Sequence, residues 1–308
     1  MESGIAHLDG LELAYDTFGH NGLPAVLLLM GNSAPGVVWP DHFCNSLAQR
    51  GYFVVRYDQR DTGLSSYLDF EEQPYTLHDL VDDAFGLLDE LGIETAHFVG
   101  LSQGGNIAYL AGLSRPSRVA SITSIMSSPD LQPKNDAFTG QPSADGHLPR
   151  PSPSYVGAVI ALNRIPAACE DAVAIRFMEN FRLAAGPASP FDETFWLNLG
   201  RAVAGRTRSG AKVANHSNHS RAQIATKPLT AADLGQVAQP CLIVHGEMDP
   251  IFPREHADWA ASNLEDAQLY LVPKMGHALD PAFVEGLVER LVDFLASKES
   301  HAKRLAYG

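Results

Sequence analysis

Short apolar runs alternate with helical patterns along most of the chain. The runs are too short for buried helices, and they are apolar on both faces of a strand rather than on one. Strands of this kind belong to parallel sheets that helices cover on both sides. The alternation therefore predicts an α/β fold with a mostly parallel central sheet flanked by helices. The runs that predict strands are AVLLLM, YFVVRYD, TAHFVG, RVASITSIM, PCLIVHG and QLYLVP.

The N-terminal part of the chain carries a different strand signal. The two alternating runs of GIAHLDGLELAYDTFG flank the dipeptide Asp9–Gly10, which is typical of a hairpin turn. A β-hairpin is therefore expected before the first buried strand. Helices are expected at about 40–50, ended by Gly51, and between Thr76 as N-cap and Gly92 as C-cap.

The strand pattern stops in the middle of the chain. Residues 130–237, called the inserted segment below, contain no run typical of a buried strand, and YVGAVIALNRI, EDAVAIRFMENFRLA and DETFWLNLGRAVAG have helical patterns. KNDAFTGQPSADGHLPRPSPSY is rich in Pro, Gly and Ser and is expected to be loop. The inserted segment is thus predicted to be a helical cap, and residues 1–129 and 238–308 are predicted to form the core domain.

Composition excludes several classes of partner. The chain has 308 residues and a formal net charge of −14, which disfavours nucleic acids and anionic membranes because both require clustered Lys and Arg. Its three cysteines are far apart and form no CxxC, so neither a disulfide framework nor a zinc site is expected. MESGIAHLDGLELAYD lacks the apolar core of a signal peptide, and no apolar run is long enough to span a membrane. A cytoplasmic protein without metal or cofactor is expected, with its oligomeric state left open.

Informative polar residues should follow the strands, because active sites of such sheets lie beyond the carboxyl ends of the strands. Ser102 does so in GLSQG, between the strand TAHFVG and a helical pattern. Gly100 and Gly104 would let the backbone turn sharply and pack closely, which is the context of a nucleophile elbow. The competing interpretation is a glycine-rich turn that only packs a helix onto a strand.

A serine nucleophile needs a base and an orienting carboxylate. His277, in PKMGHAL, follows the last strand and is the candidate base; the alternative is a structural histidine bonded to backbone. Asp249, in VHGEMDP, also follows a strand and is the candidate carboxylate, with Glu247 as the alternative. Their order in the chain, Ser, Asp, His, is the order expected for this topology.

Two backbone amides are candidates for stabilising an oxyanion. The Gln103 N–H stands at the start of the helix after Ser102, and the Asn32 N–H lies in the loop after AVLLLM, where Gly31 would allow close approach. Another N–H of that loop is the alternative to Asn32.

Two further groups of polar residues are interpreted as structural or as part of the pocket wall. Asp58, Arg60 and Asp61 follow a strand and are interpreted as an ion-paired loop bracing the rim of the site. His216 and His219 have H-x-x-H spacing without a third ligand, so they are assigned to the pocket wall rather than to a metal.

Aromatic residues of the inserted segment allow two interpretations. Phe177, Phe181, Phe195 and Trp196 either line a bulky substrate pocket or pack the cap helices on one another. Of these, Phe177 and Trp196 are taken as candidate substrate contacts. His245 precedes Gly246 at a strand end and is expected to be structural.

The motifs together resemble those of the α/β-hydrolase superfamily. The resemblance covers nearly all of residues 10–297, and within the superfamily the chain is most similar to the aclacinomycin-type methylesterases and 16-membered macrolide esterases. It implies that Ser102, Asp249 and His277 form a catalytic triad, and that Trp39 near the oxyanion loop contacts substrate. The motifs that carry it are LLLMGNS, YDQRDTGLSS, GLSQGG, VHGEMDP and PKMGHAL. Met30 departs from the histidine usual before Gly31, which concerns the oxyanion loop and not the triad.

The leading functional prediction is a serine carboxylic-ester hydrolase that forms an acyl-enzyme. The resemblance implies a bulky ester or macrolactone substrate, such as a macrolide antibiotic whose ring is opened in resistance. Alternatives on the same fold are a methyl-ester esterase of polyketides or anthracyclines, a C–C bond hydrolase, a perhydrolase, and a ligand receptor with slow turnover. Dehalogenases and epoxide hydrolases require a carboxylate where this chain has Ser102.

Overall fold

The computed structural model describes residues 1–142, 148–208 and 217–307. Within these ranges the chain forms one eight-stranded sheet of order β1-β2-β4-β3-β5-β6-β7-β8. β1 and β2 are an antiparallel hairpin, β2 pairs antiparallel with β4, and every other pair is parallel. The strands are β1 Glu2–Leu8, β2 Leu11–Phe18, β3 Ala25–Leu29, β4 Phe53–Tyr57, β5 Ala96–Leu101, β6 Val119–Ile125, β7 Cys241–Gly246 and β8 Ala267–Val272. The predicted fold class and the predicted hairpin are confirmed.

Helices cover both faces of the sheet. One hydrophobic cluster joins α2, α3 and α10 to one face, and a second joins α1 and α11 to the other. The helices are α1 Asp41–Gln49, α2 Leu77–Glu90, α3 Gln103–Ser114, α4 Gln132–Thr139, α5 Pro153–Asn163, α6 Glu170–Ala185, α7 Glu193–Gly205, α8 Asn218–Ala225, α9 Ala231–Leu234, α10 Glu255–Asn263 and α11 Pro281–Tyr307. No helix among the described residues is both long enough and apolar enough to cross a membrane.

The central strand β3 explains why the sequence runs are apolar throughout. Its side chains alternate between the two faces of the sheet, and both faces are packed. Leu27 and Leu29 belong to one hydrophobic cluster, whereas Val26 and Leu28 belong to the other. All four are fully buried. A strand with two covered faces has no position at which a polar residue would meet water.

Local signals set the ends of α2 as the sequence predicts. Thr76 Oγ1 accepts from the His78 N–H, and the Thr76 N–H donates to Asp79 Oδ2, which together form a capping box. Gly92 follows the helix with φ +66°, the left-handed conformation that glycine adopts without strain. The N-cap prediction is confirmed, whereas the C-cap is Leu91 and Gly92 is the residue directly after it.

The described part of the inserted segment contains the helices α4 to α9, and it holds more helix than the sequence patterns indicate. Most of α4 and the start of α5 lie in the stretch predicted to be loop. Pro133 stands in the first turn of α4, where its missing N–H costs nothing, and Gly140 ends that helix with φ +70°. Proline and glycine therefore bound a helix here rather than break one.

The chain leaves the sheet at β6 and returns at β7, which pair directly with each other. The inserted segment between them therefore lies beyond the carboxyl end of β6. The loops after β3, β5, β7 and β8 end at the same edge of the sheet, because these strands run parallel. The architecture thus brings the inserted segment over the loops that carry Ser102, Asp249 and His277.

Candidate active site

Ser102 sits at the turn between β5 and α3 in a conformation that non-glycine residues rarely adopt. Its φ is +56° and its ψ is −123°. A Cβ at Gly100 would lie 2.1 Å from the Gly104 carbonyl oxygen, and a Cβ at Gly104 would lie 2.2 Å from the Leu29 carbonyl oxygen. The glycines therefore permit the close packing of strand, turn and helix that presents Ser102 above the sheet edge.

His277 and Asp249 form a buried hydrogen-bonded pair. His277 Nδ1 lies 2.7 Å from Asp249 Oδ2, and both side chains are almost inaccessible to solvent. Because the carboxylate only accepts, the Nδ1–H donates, and Nε2 is the nitrogen left to accept a proton. The other carboxylate oxygen, Oδ1, accepts from the Ile251 and Phe252 N–H groups at 2.8 and 2.9 Å. The carboxylate is thereby fixed in orientation.

The environment of Asp249 keeps its carboxylate ionised. Burial by itself raises the pKa of this carboxyl, but the His277 imidazole and the hydrogen bond from it lower the pKa, and His245 and the Phe252 N–H add to that effect. The net result is a pKa below the ordinary value for aspartate. An ionised carboxylate at this place stabilises a positive charge on His277.

Ser102 and His277 line the same cavity, which encloses about 170 Å³. This volume is below the 300–1,000 Å³ of pockets that enclose drug-sized ligands. The other residues that line it are Met30, Gly31, Asn32, Ala34, Leu101, Lys134, Tyr155, Asn180, Phe181, Ala184 and Ile251. A larger depression of about 410 Å³ beside β1 and β2 shares none of these residues. The cavity therefore combines residues from the core loops with residues from α4, α5 and α6.

The loop after β3 approaches Ser102 closely. A Cβ at Gly31 would lie 3.1 Å from Ser102 Cβ and 3.6 Å from Ser102 Oγ. In the part of the chain that the structure describes, the Asn32 N–H has no protein acceptor. The Gln103 N–H begins α3 and has no acceptor within its helix, because the first N–H groups of a helix lack one. The two amides predicted to form an oxyanion site thus flank the serine.

Polar side chains hold this loop in place. Gln59 Nε2 donates to the Met30 carbonyl oxygen at 2.8 Å. From α8, Ser220 Oγ accepts from Asn32 Nδ2 at 3.0 Å. His219 Nδ1 accepts from the Ser33 N–H at 3.0 Å, and its Nε2 donates to the Arg60 carbonyl oxygen at 2.7 Å. A loop fixed from both the core and the inserted segment can keep its amides in position while charge develops.

Trp39 and His219, which were predicted to contact substrate or line the pocket, do not line the cavity that contains Ser102. His219 is buried in the contacts just given and does not line the cavity. Trp39 is fully buried against Phe43, because the chain turns its indole into the core below α1. His216 lies outside the residues that the structure describes. The expectation that Trp39 contacts substrate and the assignment of His219 to the pocket wall are therefore corrected.

The aromatic residues of α6 and α7 pack on one another. The Trp196 ring stacks on Phe181 at 4.4 Å between centroids, and Phe177 lies 4.7 Å from Phe181. Trp196 Nε1 donates to the buried Asp280 carboxylate at 3.0 Å. Of these residues only Phe181 lines the cavity. For Phe177 and Trp196 the packing interpretation replaces the pocket interpretation, because the interface between the helices takes up their rings.

The polar loop after β4 is ion-paired. Arg60 donates to both oxygens of Asp83 at 2.6 Å. Asp61 accepts from the Tyr75 hydroxyl at 2.7 Å. Asp58 accepts from the Gly36 N–H at 2.8 Å and from Arg206 Nε at 2.8 Å. These contacts agree with the interpretation of a loop that braces the rim of the site.

Glu247 and His245 lie near Asp249 in the sequence but do not take part in its hydrogen bond with His277. Glu247 is exposed to solvent. His245 Nε2 donates to the Phe252 carbonyl oxygen at 2.7 Å, and it is 3.9 Å from Asp249 Oδ2. The geometry therefore favours Asp249 over Glu247 as partner of His277 and makes His245 part of the scaffold. Across the described ranges, no group of three or more His, Cys, Asp and Glu side chains is placed to hold a metal ion.

Sequence reasoning missed several residues that line the cavity. Lys134, Tyr155, Asn180 and Ile251 all face it together with Ser102. Lys134 follows β6 at the edge of the sheet where the carboxyl ends of the parallel strands lie, and this position could have indicated a cavity residue. It lies, however, in the stretch predicted to be loop. Tyr155 and Asn180 lie on helices whose orientation over the sheet no local pattern reveals.

Comparison with known proteins gives consistent results. Residues 24–279 match the family described as alpha/beta hydrolase fold. The rhodomycin D methylesterase DauP of Streptomyces sp. (strain C5) is 33% identical over 292 residues, covering 93% of this chain and 96% of that protein. The rhodomycin D methylesterase DnrP of Streptomyces peucetius is 33% identical over 267 residues, covering 85% and 87%. A hydrolase from Pseudomonas aeruginosa PA01 has a similar crystal structure, with a TM-score of 0.70, 25% identity and coverage of 95% and 98%.

Proposed function

Because the chain belongs to the α/β-hydrolase fold family, we propose that it is a serine esterase with Ser102 as nucleophile, His277 as base and Asp249 as orienting carboxylate. One observation carries the proposal: an elbow serine and a histidine hydrogen-bonded to a buried aspartate line a single cavity. The chain is a carboxylic ester hydrolase on the evidence of its family and its methylesterase relatives.

In the first half of the reaction Ser102 attacks the ester carbonyl. His277 Nε2 takes the proton from Ser102 Oγ as the new C–O bond forms, and Asp249 stabilises the resulting imidazolium. The carbonyl oxygen becomes an oxyanion that the Asn32 and Gln103 N–H groups stabilise. Collapse of the tetrahedral intermediate breaks the bond to the alcohol, and His277 returns its proton to that alcohol.

In the second half a water molecule replaces the alcohol. His277 removes a proton from the water, whose oxygen attacks the acyl carbon of the ester on Ser102. The second tetrahedral intermediate collapses, the acid leaves, and Ser102 recovers its proton from His277. The reaction needs only water as second substrate and consumes no cofactor.

The proposed substrate is an ester of a bulky acid with a small alcohol. The relatives named rhodomycin D methylesterases support a methyl ester. The cavity of about 170 Å³ has room for the ester group and its neighbours, while the rest of a large acid would extend out of it. A macrolactone is the substrate class implied by the sequence resemblance. Its ring would be opened by the same steps, and it serves as the comparison substrate in the test.

The test is a mass-spectrometric assay of three substrates with purified wild type and Ser102→Ala. We expect an anthracycline methyl ester to gain water and lose methanol over many turnovers. A 16-membered macrolactone would gain one water if it is a substrate, and a short p-nitrophenyl ester reports general esterase activity. Removing the nucleophile lowers kcat by about 10⁶-fold in serine hydrolases. Equal rates in wild type and Ser102→Ala contradict the proposal, and a single slow turnover identifies a receptor instead.

A further inference from the structure

Lys134 is a charged residue in the cavity for which the proposed reaction has no use. It is the third residue of α4, and it lines the cavity together with Ser102 and His277. Among the described residues that line the cavity it is the only lysine or arginine, and no aspartate or glutamate joins it. The cavity is otherwise mostly apolar. A lysine there is therefore a strong local charge.

No carboxylate neutralises Lys134 within the described ranges. Its Nζ has one hydrogen-bond partner, Gln223 Oε1, at 3.4 Å. That oxygen already accepts from Gln103 Nε2 at 3.1 Å, so the contact to the lysine is long and shared with another donor. The carboxylate on the same helix, Asp136, is occupied by Gln132 Nε2 at 2.6 Å and lies 3.7 Å from Arg150.

The surroundings of Lys134 disfavour its charge. Burial lowers the pKa of the Lys134 ammonium to about 8, and no other group offsets that effect. An ammonium in a poorly solvated place is stabilised by any anion that comes within hydrogen-bond distance. A ligand that carries negative charge would therefore offset part of the free energy lost when the lysine is buried.

The lysine is held in a fixed relation to the catalytic turn. Gln223 of α8 connects Gln103 to Asn135, the residue after Lys134, because its Oε1 accepts from Gln103 and its Nε2 donates to Asn135 Oδ1. Gln103 also carries one of the two N–H groups that are proposed to stabilise the oxyanion. The spacing between a bound anion and the reacting carbonyl is therefore set by a short chain of buried amides.

We propose that Lys134 is a specificity-determining residue that binds an anionic oxygen of the substrate, a carboxylate or an ionised phenol or enol. The inference rests on the proposed esterase function. A small alcohol such as methanol carries no further functional group, so the anionic oxygen belongs to the acid part of the ester. The preferred substrate is then an ester whose acid part carries a negative charge at a defined distance from the carbonyl carbon.

Binding to the Ser102→Ala variant tests this inference without turnover. The probes are rigid aromatic methyl esters in matched pairs, monomethyl terephthalate against methyl 4-carbamoylbenzoate and monomethyl isophthalate against methyl 3-carbamoylbenzoate. Each pair differs only in carboxylate against carboxamide. Titration calorimetry gives the ratio of the two Kd values for Ser102→Ala, for Ser102→Ala with Lys134→Met, and for Ser102→Ala with Lys227→Met. Lys227 is exposed and does not line the cavity, so it controls for loss of one positive charge.

We expect at least one carboxylate to bind about 10- to 100-fold tighter than its carboxamide, as a hydrogen bond to a charged group predicts. Lys134→Met should remove this preference while leaving carboxamide binding unchanged, which also shows that the variant is folded. Lys227→Met should retain the preference. A Kd ratio near one in the parent, or a preference that survives Lys134→Met, overturns the inference. Failure of wild type to hydrolyse any of the esters instead counts against the proposed function.

Discussion

The backbone of Ser102 stores conformational strain at the proposed nucleophile. A non-glycine residue at φ +56° costs about 1–3 kcal/mol, and neighbouring contacts must offset that cost. The Ser102 N–H donates to the Ile125 carbonyl oxygen at 2.9 Å, and the Ser102 carbonyl oxygen accepts from the Gly105 N–H at 2.9 Å and from Ser127 Oγ. These hydrogen bonds tie the turn to β6 and to α3. Strain held in this way keeps the hydroxyl in the position that the proposed mechanism requires.

This strain predicts that Ser102→Gly is more stable than Ser102→Ala by about 1 kcal/mol, because glycine adopts a positive φ freely while alanine does not. Both variants should lack esterase activity. Chemical denaturation measures the difference. At the exposed Ser114 of the same helix the order should reverse, with Ser114→Gly less stable than Ser114→Ala. Equal stability of the two Ser102 variants would contradict a strained turn.

The hydrogen bond between Asp249 and His277 predicts that removing the charge of Asp249 strongly lowers kcat. Asp249→Asn keeps the size of the side chain but removes the charge that orients and stabilises His277, so kcat should fall by about 10⁴-fold with little change in KM. Glu247→Gln removes a charge two residues away on an exposed side chain, and its kcat should stay near wild type. Steady-state kinetics on a methyl ester distinguishes the two. The reverse result would make Glu247 the orienting carboxylate.

At the scale of elements, the loop that carries His277 is held by the helices of the inserted segment. The His277 N–H donates to the Ala184 carbonyl oxygen of α6 at 2.8 Å. A Cβ at Gly276 would lie 2.1 Å from the Ala185 carbonyl oxygen, so this loop and the end of α6 are in close backbone contact. Asp280 Oδ2 accepts from the Asp192 N–H at 2.8 Å and from Trp196 Nε1. The proposed base is therefore positioned by α6 and α7 as well as by the sheet.

These contacts predict that Asp280→Ala lowers both stability and rate. It leaves the Trp196 and Asp192 N–H groups without their acceptor, which should lower the free energy of unfolding by about 1–3 kcal/mol. The freed His277 loop should lower kcat, since a small displacement of a catalytic group has a large effect on rate. Asp293→Ala on the exposed side of α11 is the matched control and should change neither quantity. A wild-type kcat in a destabilised Asp280→Ala would show that α7 does not position the base.

The positions of strands were predictable, whereas the polar helices were not. Ser102, Asp249 and His277 could be proposed from the sequence because each follows an apolar run whose carboxyl end had to lie at one edge of the sheet. α8 was missed because its buried residues include Asn218, His219 and Gln223, which hydrogen-bond to core loops. Such a helix has no apolar periodicity from which it could be recognised. The same reasoning explains why the lining residues on α4 to α6 had to come from the structure.

At the scale of the whole molecule, a buried ion cluster joins the inserted segment to the hairpin side of the sheet. Arg206, just after α7, lies 2.8 Å from Asp58 and 3.4 Å from Asp16. Arg56 lies 3.0 Å from the same Asp16 oxygen. Burial raises the pKa of Asp58, although Arg206 and backbone N–H groups act in the opposite direction. These ion pairs connect the end of α7 to β2 and to the loop after β4.

We predict that Arg206→Met lowers the free energy of unfolding by about 2–4 kcal/mol at neutral pH, because Asp58 stays buried without its cation. A carboxyl whose folded pKa is raised binds more protons in the folded state than in the unfolded state, so stability falls as pH rises through that window. Removing Arg206 takes away a charge that lowers the pKa of Asp58, so the pH range between the unfolded and folded pKa widens. The loss of unfolding free energy relative to wild type should therefore shrink as pH is lowered. Urea denaturation over a pH series measures both curves.

Arg201→Met is the matched control for this prediction. Arg201 lies on α7, the helix that Arg206 directly follows, and its partner Asp171 is exposed, so the pair should contribute at most about 1 kcal/mol. Its deficit should not change with pH. A deficit of Arg206→Met that grows on acidification would contradict the role given to Asp58.

The direct pairing of β6 with β7 has a consequence for protein engineering. Because the two strands are neighbours, everything between them is a single continuous stretch of gene that can be exchanged without altering the order of the sheet. We expect the exchange to affect catalysis, since Gln103, Asp58 and Asp280 each hydrogen-bond to a residue inside that stretch. A chimaera that imports another enzyme's selectivity must therefore keep Gln223, Arg206 and Trp196, or import new partners for all three core residues together.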